Sequence, residues 1–187
     1  MLGARFTTHH TTIIMKMLIM TLLTVGTLSW SSLAFCGEIH DAAADGNLEK
    51  VKLLIKDKPD LVFSKDTNGL TALHWAVNRD HKEVLEFLLA NKADVNAKVN
   101  DGGTALHMAV GNSNKYLVAL LLANKADVNA ADNSGHTPLS GAAVTGQKDM
   151  VELLLAFKAD IKDALRLAVM FKHDDVARLL REEGGHE

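Results

Sequence analysis

The chain has 187 residues, of which 48% are apolar, 23% are charged and 5% are aromatic. This length suits one folded unit with a sizeable core better than two full domains. Arg5 and Lys16 are the only charged residues before Glu38, so the remainder carries 18 basic and 23 acidic side chains. Without clustered Lys and Arg, this acidic excess argues against a nucleic-acid partner. The single cysteine, Cys36, cannot form an internal disulfide.

The N-terminal segment has the layout of a secretory signal. Lys16 precedes the apolar run Met17–Gly26, and small residues follow through Ala34. A basic start, an apolar middle and a small-residue exit are typical of export signals. We therefore predict that residues 1–34 are a signal peptide and that the mature chain is periplasmic or secreted. The true start is expected near Met15, because residues 1–14 add nothing to the signal.

Processing of this segment has several alternatives. Cleavage after Ala34 and cleavage after Cys36 both satisfy the small-x-small rule. An uncleaved segment of about 20 uncharged residues could anchor the chain in a bilayer, although Thr and Ser dilute its hydrophobicity. Leu33–Cys36 also resembles a bacterial lipoprotein box, in which Phe35 is a poor fit and Cys36 would be lipidated. Contact with a membrane is expected only in these last two cases.

The rest of the chain repeats itself every 33 residues. The same spacing separates equivalent Gly, Thr, Leu and Ala positions, which are Gly69, Gly102 and Gly135, Thr71, Thr104 and Thr137, Leu73, Leu106 and Leu139, and Ala76, Ala109 and Ala142. Self-similarity at such a period is the signature of a repeat architecture. Thr at a helix start caps free backbone N–H groups, Pro138 suits the first helical position, and Ala allows helices to approach closely.

An apolar stripe recurs on the second helix of each unit. Val84, Phe87 and Leu88 follow one another at three- and four-residue spacing, as do the equivalent residues of the next two units. One helix pair cannot bury such a stripe by itself. Neighbouring pairs must therefore stack, and stability becomes a sum of interfaces between neighbours.

Three segments, which are Asn68–Ala76, Asp101–Ala109 and Ser134–Ala142, carry a glycine, a threonine and a Leu-His-x-Ala-like run. They resemble the G-x-T-P-L-H-x-A signature of the ankyrin-repeat family, over about residues 38–184. The resemblance implies an all-α ankyrin-repeat solenoid of about five stacked helix pairs. These are three full repeats with N- and C-terminal capping pairs, divided as 38–65, 66–98, 99–131, 132–162 and 163–184. One inserted residue is expected between Leu61 and Asn68.

The chain departs from the family pattern at a few turns. Lys92, Lys125 and Lys158 replace the glycine that usually follows the second helix, at a cost of about 1 kcal/mol each if the left-handed geometry is kept. Ser140 stands where the motif has His, and Val99 stands where other units have Asp. These changes concern local turn geometry and leave the fold prediction unchanged.

Candidate chemistry is sparse. His74 and His107 share one position in successive units, and we interpret each as bonding Thr71 or Thr104 and nearby backbone rather than a metal, because no ligand set accompanies them. The recurring Asp residues near the turns suit turn formation better than a calcium loop. No nucleophile elbow, phosphate loop or metalloprotease motif is present. We expect no enzyme activity, no catalytic or metal residue and no cofactor.

The family resemblance implies that the chain binds another protein through hairpin tips and the concave inner-helix face. Carried over by position, the expected contact residues are Asn68, Leu70, Trp75, Asn78, Arg79, Asp101, Met108, Asn112, Ser134, His136 and Thr145. Trp75 could instead pack between inner helices. The expected function is a non-enzymatic binding module, monomeric and outside the cytoplasm. The alternative is a metal- or small-ligand-binding accessory of the cell envelope that uses His74, His107 and the acidic turns.

Overall fold

The computed structural model describes residues 37–184. The predicted signal peptide, the alternative start at Met15 and Cys36 lie outside these residues. Ten α-helices follow one another in the described part of the chain, and no strand is found there. They are α1 (37–44), α2 (Leu48–Asp57), α3 (Ala72–Asn78), α4 (Lys82–Ala90), α5 (Ala105–Gly111), α6 (Lys115–Ala123), α7 (Pro138–Val144), α8 (Lys148–Ala156), α9 (Ala164–Met170) and α10 (Asp174–Gly184).

The helices form five successive pairs that stack in chain order. Among the inner helices, α3 packs on α5, α5 on α7 and α7 on α9. Among the outer helices, α2 packs on α4, α6 on α8, and α8 on α10. This arrangement confirms the predicted all-α ankyrin-repeat solenoid with a capping pair at each end. None of the helices between residues 37 and 184 has the length and apolar character needed to cross a bilayer.

The repeated apolar positions form the core. Leu73, Leu106 and Leu139 are at most 1% exposed, and the Ala residues three positions later are fully buried. The stripe of the outer helices is buried too, with Val84 and Leu88 inside and Phe87 half-buried against the core. Burial of a Leu side chain contributes about 2 kcal/mol, so the recurring Leu positions account for much of the stacking energy.

The inner helix of each of the three full repeats begins at a threonine, as predicted. Thr71, Thr104 and Thr137 are the N-cap residues of α3, α5 and α7, and all have extended backbone geometry. Pro138 occupies the first turn of α7, where a missing N–H leaves no hydrogen bond unmade. The inserted residue of the first unit falls in the link that holds a 3₁₀ helix, Pro59–Phe63.

The turns that follow the outer helices keep the left-handed geometry even though glycine is absent. Lys92, Lys125 and Lys158 have φ values of 65°, 68° and 65°. The left-handed geometry on which the expected cost of about 1 kcal/mol depends is therefore present at all three positions.

Candidate functional site

Three hairpin tips (residues 66–70, 99–103 and 132–136) stand between the outer helix of one pair and the inner helix of the next. In each tip the first and last residues pair: the N–H of Asp66 donates to Leu70 at 2.8 Å, and that of Val99 donates to Gly103 at 2.9 Å. The third tip repeats this bond between Asp132 and His136 at 2.9 Å. The chain therefore presents the same short turn three times along one side of the stack.

In the first and third tips, the carboxylate of the first residue closes the turn from inside. The Oδ1 atom of Asp66 accepts hydrogen bonds from the N–H groups of Asn68 at 2.8 Å and Leu70 at 2.9 Å. Desolvation would raise the pKa of Asp66, but these donors and the Trp75 indole outweigh it, so the pKa lies below its usual value. Asp132 has the same arrangement with Ser134 and His136, and its pKa is lowered for the same reason.

The second tip has no carboxylate at its first position, and its turn is stabilised in another way. Val99 cannot accept the bonds that Asp66 accepts. Here Asp101 lies within the turn, and its Oδ1 accepts from the N–H of Gly103 at 2.8 Å. The departure noted in the sequence is thus compensated two residues later, because a carboxylate in the turn can satisfy the same backbone region.

His74 and His107 have the structural role that the sequence predicted. The Thr71 N–H donates to Nδ1 of His74 at 3.2 Å, and the Thr71 hydroxyl lies 2.9 Å from the same atom. Nδ1 therefore accepts, and Nε2 carries the proton that it donates to the carbonyl oxygen of Ala97 at 3.1 Å. His107 bonds Thr104 in the same way, and its Nε2 reaches the carbonyl oxygen of His136.

These bonds do more than the sequence indicated: Nε2 of His74 binds the link that leads into the second tip, and Nε2 of His107 binds the third tip itself. Burial lowers the pKa of His74 to about 4, which keeps the ring neutral and fixed at physiological pH. A metal could bind only after these hydrogen bonds are broken. No group of three or more His, Cys, Asp or Glu residues suited to a metal occurs among residues 37–184.

Sequence reasoning missed a third histidine of this kind. His40 is 5% exposed, and its Nε2 lies 3.0 Å from the carbonyl oxygen of Ser64. Ile39–Ala42 has the Leu-His-x-Ala pattern with Ile in place of Leu. The inserted residue shifts it to 34 positions before His74, so a search for the signature at a fixed period of 33 passes over it.

The predicted contact residues of the tips are on the surface. Asn68, Asp101, Ser134 and His136 are exposed, and Leu70 is half-buried. Backbone atoms of Asn68 and Asp101 also hold the next unit, because their carbonyl oxygens accept the N–H groups of Asn100 and Asn133, at 3.1 and 2.9 Å. Substitution of their side chains would therefore leave this inter-repeat pairing in place.

The predicted inner-helix residues form a row. Arg79, Asn112 and Thr145 are the C-cap residues of α3, α5 and α7, and all three are exposed. Because these helices pack side by side, their C-caps follow one another along the inner face of the stack. Asn78 is also exposed and lies next to Arg79.

The aromatic and sulfur side chains of this face are less available. Trp75 and Met108 are half-buried and pack against the core. The indole N–H of Trp75 donates to Oδ2 of Asp66 at 3.1 Å, which ties the first tip to α3. This contact favours the packing interpretation of Trp75 over that of an interface anchor.

An apolar extension of the row was not predicted. Phe171 is the C-cap residue of α9, in the position of Arg79, and is 48% exposed. Val169 and Met170 beside it are 48% and 58% exposed. The C-terminal capping pair lacks the hairpin signature by which contact residues were assigned in the other units. No contact residue was therefore predicted there.

Comparisons with known proteins agree with this architecture. The sequence profile described as "Ankyrin repeats (3 copies)" matches residues 39–132, 92–164 and 117–187, which together cover most of the chain. The chain belongs to the ankyrin-repeat family. Ankyrin repeats generally mediate protein–protein interaction and are typically not catalytic.

Curated relatives match part of the repeat region. Mouse ankyrin repeat domain-containing protein 40 is 38% identical over 56 residues, which are 30% of this chain and 15% of that protein. Palmitoyltransferase akr1 of Schizosaccharomyces pombe is 43% identical over 61 residues, 33% of this chain and 10% of that enzyme. Mouse protein phosphatase 1 regulatory subunit 27 is 36% identical over 63 residues, 34% and 40% of the two chains. The chain thus spans less than half the length of each of these relatives.

Proposed function

We propose that this ankyrin-repeat chain is a non-enzymatic binding module that acts outside the cytoplasm, in the periplasm or as a secreted protein. It binds a partner protein through the hairpin tips and the inner-helix row of Arg79, Asn112 and Thr145. Export is supported by the uncharged apolar segment after Lys16, and a bacterial source would suit such a signal.

The observation that carries the binding proposal is a contrast between equivalent positions. Buried positions keep their residue from unit to unit, as at Leu73, Leu106 and Leu139. The exposed C-cap position changes from Arg79 to Asn112 to Thr145, so its chemistry differs along the row. A fixed scaffold with varied exposed side chains suits recognition of a specific partner, in which a few side chains supply most of the binding energy.

Affinity capture with paired variants tests the binding surface. The test variant carries Arg79→Ala, Asn112→Ala and Thr145→Ala. The control carries Glu83→Ala, Glu152→Ala and Arg178→Ala, which are exposed residues of the outer helices. We expect the same protein to be retained by the wild type and the control and lost by the test variant. Equal retention by both variants would refute the proposed surface.

Export is tested separately. The full chain with a C-terminal tag is expressed in a bacterial host, the cells are fractionated, and the N-terminal residue is identified by mass spectrometry. We expect the tagged chain in the periplasm or medium, beginning at Phe35 or Gly37. An intact N-terminus in the cytoplasmic fraction would refute export. A membrane-bound form would support the anchored or lipidated alternative.

A further inference from the structure

Asparagine joins the second and the third hairpin tip to the tip that precedes each of them. The N–H of Asn100 donates to the carbonyl oxygen of Asn68 at 3.1 Å, and its side-chain amide donates to that of Thr67 at 3.0 Å. Asn133 repeats both bonds, to Asp101 at 2.9 Å and to Asn100 at 3.1 Å. One asparagine thus supplies two donors to two successive carbonyl oxygens.

These asparagines also occupy the space beside the turn glycines. Gly69 and Gly102 are buried, and a side chain added there would meet the backbone nitrogen of Asn100 at 2.9 Å or that of Asn133 at 2.7 Å. The forward edge of the first two tips is therefore closed by the next tip.

The forward edge of the third tip is open. Gly135 is exposed, and no atom lies within 4 Å of the position that a side chain would occupy there. The carbonyl oxygens equivalent to the two acceptors belong to Asn133 and Ser134, and no hydrogen bond to either is found within residues 37–184. Since the last pair enters α9 without a hairpin, the described chain provides no fourth tip.

The sequence of the third unit is consistent with the absence of a further hairpin beside this edge within residues 37–184. In the earlier units, Nε2 of His74 donates to the carbonyl oxygen of Ala97, just before the second tip, and Nε2 of His107 donates to that of His136, in the third tip. Ser140 stands at this position in the third unit and bonds only Thr137. The forward-reaching donor is therefore absent where no following hairpin would accept it.

We propose that the open edge, formed by Asn133, Ser134 and Gly135, binds a tight turn of the partner protein that contains asparagine. The asparagine donates its backbone N–H to the carbonyl oxygen of Ser134 and its side-chain amide to that of Asn133. The inference rests on the proposed protein-binding function and names the segment recognised. Asparagine is the expected residue because Asn100 and Asn133 fill the equivalent surface at the two preceding tips.

The chemistry selects asparagine over its nearest analogue. Both acceptors are carbonyl oxygens, so the incoming side chain must donate. The ionised side chain of an aspartate has no donor and would place a negative charge against the carbonyl oxygen of Asn133. A turn is required because the N–H and the side-chain amide of one residue must point in the same direction, as they do at Asn100 and Asn133.

The test uses a defined probe and the full chain. The probe is a backbone-cyclised peptide with the sequence of residues 99–104, which contains the turn asparagine Asn100. The control peptide carries Asn100→Asp. Binding is followed by two-dimensional NMR of the ¹⁵N-labelled chain. We expect saturable shifts centred on Ser134 and Gly135 with the probe, and binding at least about tenfold weaker with the control, as loss of a donor to a carbonyl predicts.

Two variants of the chain complete the test. Gly135→Asn fills the space beside the turn with a residue that tolerates positive φ, and we expect it to weaken probe binding by at least about tenfold. Glu152→Ala changes an exposed residue of an outer helix, away from the hairpin tips, and binding should stay unchanged. Equal binding of both peptides, shifts centred elsewhere, or equal losses in the two variants would overturn the inference.

These outcomes are separate from those of the binding proposal. The variant at Arg79, Asn112 and Thr145 leaves the open edge intact. A partner that is lost by that variant but retained by Gly135→Asn, with no shifts from the probe, would overturn the turn-binding inference and support the binding module. If the probe binds at the third tip but the variant at Arg79, Asn112 and Thr145 captures the partner as well as the wild type does, the turn-binding inference is supported and the proposed inner-helix surface is overturned.

Discussion

Acidification should destabilise the fold through His74 in a pH range where carboxylates contribute little. The ring is fully buried, and burial lowers its pKa to about 4 from an ordinary value of about 6.5. Between these values the unfolded chain holds the proton and the native chain does not. The free energy of unfolding therefore falls as the pH falls through this window and is fully recovered above it.

The size of the effect follows from the two pKa values. Each unit of difference corresponds to about 1.4 kcal/mol, so the loss is about 2 kcal/mol at pH 5 and about 3 kcal/mol at pH 4. Urea unfolding followed by circular dichroism at pH 7, 6 and 5 measures it. The comparison is with His74→Gln, whose side-chain amide can form hydrogen bonds but cannot titrate.

We expect the wild type to lose about 2 kcal/mol of stability between pH 7 and pH 5. His74→Gln should be less stable at pH 7 and lose about 2 kcal/mol less across the range. If the stability of His74→Gln falls with pH as steeply as that of the wild type, the buried neutral imidazole is not the cause, and the reasoning fails.

Two further predictions compare substitutions at matched positions by urea or thermal unfolding. Gly146→Ala should lower the free energy of unfolding by about 2–3 kcal/mol, because φ is +68° and the new methyl group would meet the His173 ring. Gly135→Ala, with φ of +82° and open space around it, should lower it by about 1 kcal/mol. Equal losses of stability would contradict the role of the ring contact. Leu106→Ala should lower the free energy of unfolding by about 2–5 kcal/mol, because it leaves a cavity in the core. Asp101→Ala should lower it by at most about 1 kcal/mol, because it removes one exposed hydrogen bond of a turn. Comparable losses of stability would argue against the assigned core.

The sequence was sufficient for the fold because its period, its capping threonines and its apolar stripe are all local patterns. Thr71 and Leu73 need only their own helix and its neighbours to explain them. The same holds for the left-handed lysines, since the family pattern places a special turn at each. His40 was missed for a physical reason as well: the inserted residue adds length to a link that holds a 3₁₀ helix, and helix stacking is unaffected by it.

The candidate site was less predictable because exposure depends on what lies next in the stack. Phe171 and Arg79 have equivalent positions, yet only Arg79 belongs to a unit with the full signature. The bond between Trp75 and Asp66 joins residues nine positions apart across a turn, and the repeat pattern gives no sign of it. The open third edge depends on the carbonyl oxygens of Asn133 and Ser134 having no hydrogen-bond donor within residues 37–184, which the sequence of a single unit does not reveal.

The stacking of α3 on α5, α5 on α7 and α7 on α9 has an evolutionary consequence. Each unit offers complementary front and back surfaces, so an in-register gene duplication of one unit would insert surfaces that already match their neighbours. The array could lengthen or shorten by whole units without the invention of a new interface. Selection on binding would then act on side chains that no adjoining unit constrains, while the joints between units are inherited unchanged.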